Sequence, residues 1–395
     1  MNYHIITQDK FFNGYIEDIY KLQLEHENVF WVQGNPDEHP YLTTTRPVEY
    51  LGVDKDAIIS RLKQLAPNDK LYVSWYSGII AEAIVESSIK NPLYVYVMGG
   101  EFYADPWEWH CSWLYDKKTY AQYKKLGWIP SVKLTRKNPI HWGRVIDDIK
   151  KVTQWKKQSQ LAYDKKHNEV ARIDYLVLPK QANGEYNLIK TLYPTFNAMH
   201  VYGLFDQNFD LAKIMHTKVE HSEPYRILFG NSADPTNNHA DGLNFLYKNI
   251  IANVDIYSVL SYGNPIGKKW AIDCGCRLFG KYFHPIVDYM GRQEYLDFVN
   301  SMDIVMMYHN RQQAVGNTMT ALVLGKPVFM KSKNVVYQML KDLGVRSVYD
   351  VNTIADRPLH EYIQEAYKNR NHTIAIIEQI YSKSLRLQYL KKLLG

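Results

Sequence analysis

Cysteine is scarce. The chain holds three in 395 residues, Cys111, Cys274 and Cys276. No Cys-x-x-Cys pair occurs, so neither a disulfide framework nor a zinc site is expected, and a reducing compartment fits. Met1-Asn2-Tyr3-His4 has no basic stretch leading into an apolar one, so no signal peptide is expected. The longest near-apolar runs, such as residues 78–85, fall far short of the roughly 18–20 residues that span a bilayer. Contact with a membrane is open; crossing one is not expected. No Gly-x-Gly-x-x-Gly follows the first strand-like segment, and no Gly-x-x-x-x-Gly-Lys-Ser/Thr occurs, which removes the dinucleotide-dehydrogenase and P-loop readings. Gly-x-Ser-x-Gly and His-Glu-x-x-His are also missing. The one Asp-x-Asp, Asp54-Lys55-Asp56, falls at a helix start away from any strand end, so a metal-bridged diphosphate is unsupported.

What is present is a large apolar and aromatic fraction with unevenly placed charge. Hydrophobic residues make up 46%, which excludes global disorder, and the chain has 32 Tyr and 9 Trp. Its length suggests two domains. The net charge of +6 is not spread evenly: residues 117–167 hold 14 Lys/Arg against Asp147, Asp148 and Asp164, a balance of +11 that leaves −5 for the rest. The same stretch carries Trp128, Trp142 and Trp155. A basic segment with interleaved tryptophan reads as a nucleic-acid surface, as a footprint on an anionic membrane, or as a solvated helical face.

Strand-like and helix-like segments alternate twice along the chain. Strands at 3–7, 28–32, 70–75 and 93–98 alternate with helices at 11–25, 54–65 and 79–89, Asp54 capping the second helix. A basic helical stretch comes next over about 105–168, in which Val145, Ile149, Val152 and Trp155 share one face. A strand at 174–178 and a loop-like connection over 179–194 come after it. Strands at 225–229, 255–260, 283–287, 304–308 and 327–330 then alternate with helices, and the tail over 359–394 is helical. Two parallel α/β units are expected, with ligands outside the carboxyl ends of the strands.

The loops after those strand ends therefore matter most. Gly230-Asn231-Ser232-Ala233-Asp234-Pro235-Thr236-Asn237-Asn238-His239 opens a helix, and it reads equally as an anion cradle and as a capped turn. Ser261-Tyr262-Gly263 offers a stacking ring and a glycine, or a plain turn. His309-Asn310-Arg311-Gln312-Gln313-Ala314-Val315-Gly316-Asn317-Thr318 carries the strongest signal. An Arg-Gln-Gln run after a core strand is hard to explain by packing. Arg311 is a permanently charged fork suited to phosphate, and Gly316-Asn317-Thr318 begins a helix whose N–H groups favour a diphosphate. In the first unit, Asp9 and Glu101 each place a carboxylate just past a strand end, where a general base would stand; Asp9 reads equally as a helix cap and Glu101 as a loop carboxylate.

Gly230-Asn231-Ser232, Asp234, Asn237, His239, Ser261-Tyr262-Gly263, Tyr295, Asp303, Arg311-Gln312-Gln313 and Gly316, in this order over residues 225–330, resemble the pattern of glycosyltransferase family 56. Its members transfer 4-acetamido-4,6-dideoxygalactose (Fuc4NAc) in bacterial surface glycan assembly. The first half is similar only through Asp9 and the acid of Gly99-Gly100-Glu101, where an Asp is the family residue.

The resemblance implies a GT-B fold: two Rossmann-like α/β domains, an interdomain cleft and a C-terminal helical segment. The expected divisions are an acceptor domain at 1–180 with the membrane-facing insertion at 105–168, a connector at 181–222, a nucleotide-sugar domain at 223–355, and helices at 356–395. It further implies a dTDP-sugar donor, a polyprenyl-diphosphate-linked glycan acceptor, metal-independent transfer, and a peripheral place on the inner face of the cytoplasmic membrane. Asp9, Glu101 and Arg311 are the expected catalytic residues. Gly230, Asn231, Ser232, Asn237, His239, Ser261, Tyr262, Gly263, Gln312, Gln313, Gly316, Asn317 and Thr318 would join Arg311 around the donor. Lys150, Lys151, Trp155, Lys156 and Lys157 would face the membrane. The stretch Thr318-Met319-Thr320-Ala321 has no acid where many GT-B enzymes hold ribose hydroxyls with a Glu, which suits a deoxyribose donor. A nucleotide-sugar epimerase of similar fold and a basic nucleic-acid-binding protein are the alternatives.

Overall fold

The structure is a computed structural model of the whole chain. It describes residues 1–36, 41–103, 113–126, 130, 142–204, 224–250 and 253–395, the side chains of residues 142–144 excepted. The sequence readings at Cys111 and Trp128 lie outside the described residues.

Two parallel sheets account for both alternating stretches. The first joins β1 (Asn2–Ile6), β2 (Asn28–Val32), β3 (Glu49–Tyr50), β4 (Lys70–Ser74), β5 (Leu93–Tyr96), β6 (Tyr175–Leu178) and β7 (Met199–Tyr202) in the order β3-β2-β1-β4-β5-β6-β7. The second joins β8 (Tyr225–Phe229), β9 (Val254–Val259), β10 (Phe283–Ile286), β11 (Ile304–Met307), β12 (Val328–Met330) and β13 (Val348–Asp350) in the order β10-β9-β8-β11-β12-β13. The central strands are short and apolar because helices cover both faces, and all four residues of β11 are buried. In each sheet the winding direction reverses once, between β1 and β4 in the first and between β8 and β11 in the second. In doubly wound sheets such a reversal opens a crevice at the carboxyl ends of the two strands, and ligands bind there.

By contacts the chain divides into one unit of residues 1–104, 165–209 and 377–395, and another of 105–164 and 210–376. This arrangement departs from the sequence reading in three places. First, the stretch expected as a loop over 179–194 contains the helix Asn183–Leu192, and β7 comes after it, so the expected connector at 181–222 supplies an edge strand of the first sheet. The prolines flank that helix and Gly184 lies in its first turn, where helix breakers cost little. Second, residues 113–125, assigned by sequence to the first domain, pack in the second unit. Backbone N–H groups of Lys118 and Thr119 donate to the Asp241 carboxylate at 2.8 Å each. Third, the last 19 residues return to the first unit. Tyr72 donates to the Leu393 carbonyl at 2.9 Å, Asn2 to the Leu394 carbonyl at 3.2 Å, and Arg386 pairs with buried Asp18 at 2.7 Å.

Each unit has its own core. Ile6, Phe12, Ile16, Phe30, Tyr72 and Tyr96 centre the first, joined by Leu390 and Leu394 of the tail. Ile227, Phe229, Leu243, Ile304, Met306 and Phe329 centre the second. Among the described residues no helix is long and apolar enough to cross a membrane.

Candidate functional site

The two loops of strongest sequence signal leave β8 and β11, the pair at which the second sheet reverses. The topology therefore brings together residues about 80 positions apart in sequence, as the pair Asn231 and Gln313 illustrates. Gly230 begins the first loop at φ +70°, and a Cβ there would lie 2.8 Å from Asn237 Oδ1. Glycine alone gives the chain both that turn and that clearance. Asn237, fully buried, organises the rest of the loop. Its Oδ1 accepts from the Asn231 N–H at 3.0 Å, and its Nδ2 donates to Ser232 Oγ at 3.1 Å and to the Asp234 carbonyl at 3.0 Å. Asn231 extends the network outward, donating to the Tyr262 hydroxyl at 3.1 Å and accepting from Gln313 Nε2 at 3.0 Å. Thr236 Oγ1 lies 2.6 Å from Asp234 Oδ1 and 2.7 Å from Gln313 Oε1. The loop after β9 joins through the Ala233 N–H, which donates to the Tyr262 carbonyl at 2.8 Å. Thus Asn231, Ser232, Asn237, Tyr262 and Gln313 form one bonded cluster, with Gly230 at its start tied to the Met306 carbonyl at 2.9 Å. Ser261 is half-buried beside it, while Gly263 and the Tyr262 ring are exposed.

Two histidines complete the floor. Since Asn237 Oδ1 is an acceptor, His309 Nε2 at 3.1 Å must carry the proton, which leaves Nδ1 as an acceptor; that buried atom has no partner. His239 begins the helix His239–Asn249, and its buried Nε2 also has none. Burial holds His239 neutral, lowering it from 6.5 to about 4. Burial first, then the positive charges of Arg311 and Lys331, pushes His309 well below its ordinary value.

Arg311 is 9% exposed. One guanidinium nitrogen donates to the Gln312 carbonyl at 2.8 Å; its Nε has no partner, and among the described residues no carboxylate pairs with it. A cation buried without a counter-charge is costly unless an anion comes to it. Its neighbours are equally underused. Gln312 Oε1 and the fully buried Thr318 Oγ1 are unpartnered. The helix Val315–Val323 begins at Ala314, φ +56°, with no side-chain cap, so the first-turn N–H groups around Gly316 and Asn317 are left for another acceptor.

Sequence reasoning missed the layer behind this loop. Asn334 donates to the carbonyls of His309 at 3.2 Å and Arg311 at 2.7 Å and so fixes their course. Lys331 ion-pairs with Asp116, bonds Asn310 at 2.7 Å, and lies 4.0 Å over the Tyr308 ring. Burial lowers it to about 8 even so. Asp116 and Leu114 reach Asn238 and Asn310 from far upstream, a link that no local signal announces.

The first unit is arranged differently. Asp9 lies after β1, half-buried, and its Oδ1 accepts from the Phe11 N–H at 3.1 Å, so it caps the helix start. Glu101 is 3% exposed, and its Oε1 accepts from the Met98 N–H at 2.6 Å. Lys150, Lys151, Lys156 and Lys157, expected in the first domain, belong instead to the second unit, exposed along the helix Trp142–Ala171 with Trp155 half-buried. The expected apolar face is not fully covered: Ile149 and its neighbour Ile146 are each 49% exposed.

Solved structures of similar shape include a sugar-phosphate synthase and two sugar transferases. An α,α-trehalose-phosphate synthase (UDP-forming) from Burkholderia vietnamiensis superimposes over 100% of this chain and 99% of its own, with a TM-score of 0.58 at 8% identity. An O-GlcNAc transferase from Thermobaculum terrenum superimposes over 100% of this chain and 66% of its own, with a TM-score of 0.56 at 10% identity. An α-glucosyltransferase in complex with UDP covers 100% and 99%, with a TM-score of 0.50 at 11% identity. At such low identities these superpositions establish the GT-B fold and nothing finer. Residues 169–392 match the family profile described as "4-alpha-L-fucosyltransferase glycosyl transferase group 56", more than half of the chain. A family of this kind takes a nucleotide-sugar donor and a glycan acceptor, and its members are hexosyltransferases. The chain therefore belongs to glycosyl transferase group 56, with a GT-B fold and the activity of a glycosyltransferase.

Proposed function

We propose that the protein transfers a Fuc4NAc-like deoxyamino sugar from a dTDP donor to a polyprenyl-diphosphate-linked glycan, at the inner face of the cytoplasmic membrane. The observation that carries the donor half is Arg311: a buried guanidinium that no carboxylate pairs among the described residues, beside an uncapped helix start, at the reversal of the second sheet. The acceptor hydroxyl oxygen attacks the anomeric carbon as the bond to the β-phosphate oxygen breaks. Arg311 and the N–H groups of Gly316 and Asn317 hold the charge that develops on the leaving dTDP, without a metal. His239, Asn231, Gln312 and Thr318 line the diphosphate or sugar, and Ser232 and Asn237 keep the loop in shape. Asp9 takes the hydroxyl proton; of the two candidate carboxylates it is the more exposed, whereas Glu101 is buried.

The thymidine preference rests on the missing acid in Thr318-Met319-Thr320-Ala321, because deoxyribose has no 2′-hydroxyl to bind. The membrane reading rests on the pairing of exposed Lys150, Lys151, Lys156 and Lys157 with exposed Ile146 and Ile149 on one helix. Charge reversal at the four lysines is expected to weaken binding to anionic liposomes. A thermal-shift screen tests the donor: dTDP should raise the melting temperature more than UDP, GDP or NAD. A larger shift with UDP or GDP would overturn the thymidine assignment.

A further inference from the structure

The reversal of the second sheet holds the Arg311 network. The corresponding reversal of the first sheet, between β1 and β4, carries a feature that the proposed chemistry leaves unused. β4 ends at Ser74, and the next residue is Trp75. Its φ is +55°, in the left-handed region that a bulky side chain rarely enters. The turn sends Trp75 and its successor in opposite directions. Tyr76 is 1% exposed and donates its hydroxyl to the Glu169 carbonyl at 3.1 Å, whereas Trp75 is 44% exposed. Of the tryptophans whose side chains are described (Trp31, Trp75, Trp113, Trp155 and Trp270), Trp75 alone is exposed.

The indole is nonetheless held. Its benzo ring packs on Gly100 after β5, where a Cβ would come within 2.6 Å of Cη2. Any other residue at position 100 would push the ring away. The strand order places β4 between β1 and β5, so Trp75 emerges between the loops that carry Asp9 and Glu101. A strained backbone, a glycine seat and an exposed indole at the mouth of a doubly wound sheet form a flat apolar surface one strand away from the loop that carries Asp9. A pyranose has the matching shape, with C–H groups across one face and hydroxyls around its edge.

We infer that Trp75 is the platform on which a pyranose ring of the glycan acceptor stacks, with a sugar hydroxyl turned toward Asp9. The inference rests on the acceptor half of the proposed function. It makes Trp75 a specificity-determining residue for acceptors whose ring offers an uninterrupted C–H face.

Trp75→Gly and Trp75→Phe provide the test, because glycine suits φ +55° and removes the ring without straining the turn. Binding of a panel of octyl mono- and disaccharide glycosides is measured by saturation-transfer NMR, and binding of dTDP by thermal shift. Wild type should bind at least one glycoside. Trp75→Gly should weaken it about three- to tenfold, as loss of one aromatic stacking contact implies. Trp75→Phe should keep most of the affinity. The dTDP shift should be the same in all three proteins, and the melting temperature of Trp75→Gly should not fall. Equal glycoside affinity in Trp75→Gly, or no glycoside bound by wild type, would overturn the platform. So would a parallel loss of the dTDP shift, which marks Trp75 as a structural residue. Absence of a dTDP shift in wild type would instead count against the donor reading alone.

Discussion

Both units bury histidines, and they do so in different ways. In the first unit His4 is fully buried between Phe30 and Tyr72, with both ring nitrogens engaged. Nε2 lies 2.7 Å from Asn28 Oδ1, and Nδ1 lies 2.9 Å from the Tyr15 hydroxyl, which continues to Tyr96. In the second unit His239 and His309 are as deeply buried, yet each keeps a ring nitrogen without a partner, and Arg311, close to His309, pairs with no carboxylate among the described residues. Native interiors satisfy their polar groups, so a closed network is architecture, whereas an open one is waiting for a ligand. Burial alone does not separate the two histidine types; the completeness of their hydrogen bonding does.

The largest expected effect breaks this comparison on the catalytic side. Arg311→Ala should lower turnover about 100- to 1,000-fold, the scale of losing one group that stabilises developing charge. Its unfolding midpoint in urea should stay level or rise, because a buried unpaired cation has been removed. Near-normal turnover would remove Arg311 from the chemistry.

The histidine pair comes next. His4→Ala should cost about 2–4 kcal/mol of stability, from a cavity and two orphaned polar groups, and leave the kinetics of the folded fraction unchanged. His309→Gln can keep a donor to Asn237. It should cost about 1 kcal/mol or less of stability and reduce kcat/KM about tenfold. If the two variants exchanged these phenotypes, the contrast would be wrong.

Acid provides the smallest and most general test. His4 and His239 are each lowered from 6.5 to about 4 by burial. The unfolded chain binds more protons over that window, so the stability that both histidines contribute is complete above about pH 6.5 and is lost as pH falls toward 4. A bound diphosphate should raise the pKa of His239 but not of His4. Affinity for dTDP-glucose, whose diphosphate keeps its charge over this range, should therefore increase between pH 7.5 and 5.5. Affinity independent of pH would detach the histidines from the ligand.

Much of this was legible in the sequence, and the boundary is physical. Short apolar runs such as Ile304-Val305-Met306-Met307, set between helices, announced both sheets, and the Arg-Gln-Gln run after them could not be accounted for by packing. Asp54 capped its helix as its place before an amphipathic run implied, accepting from the Asp56 N–H at 2.9 Å. What stayed hidden depends on partners distant in sequence. Nothing near Asp116 announces Lys331, 215 positions later. Nothing near Tyr72 announces the Leu393 carbonyl. Trp75 read as the last residue of a strand, because a positive φ at tryptophan has no local signal. For Asp9 the sequence left a cap and a base equally open, and the cap is what the geometry displays.

The central claim is that the open network of the second unit receives a nucleoside diphosphate on Arg311. Calorimetric titration of dTDP into wild type and into Arg311→Ala tests it most directly. Wild type should bind with one site per chain, and the variant should bind at least about 30-fold more weakly, the scale of losing a charge-assisted contact to phosphate. The variant's melting temperature without ligand should be unchanged or higher. Equal affinity in the two proteins would contradict the claim.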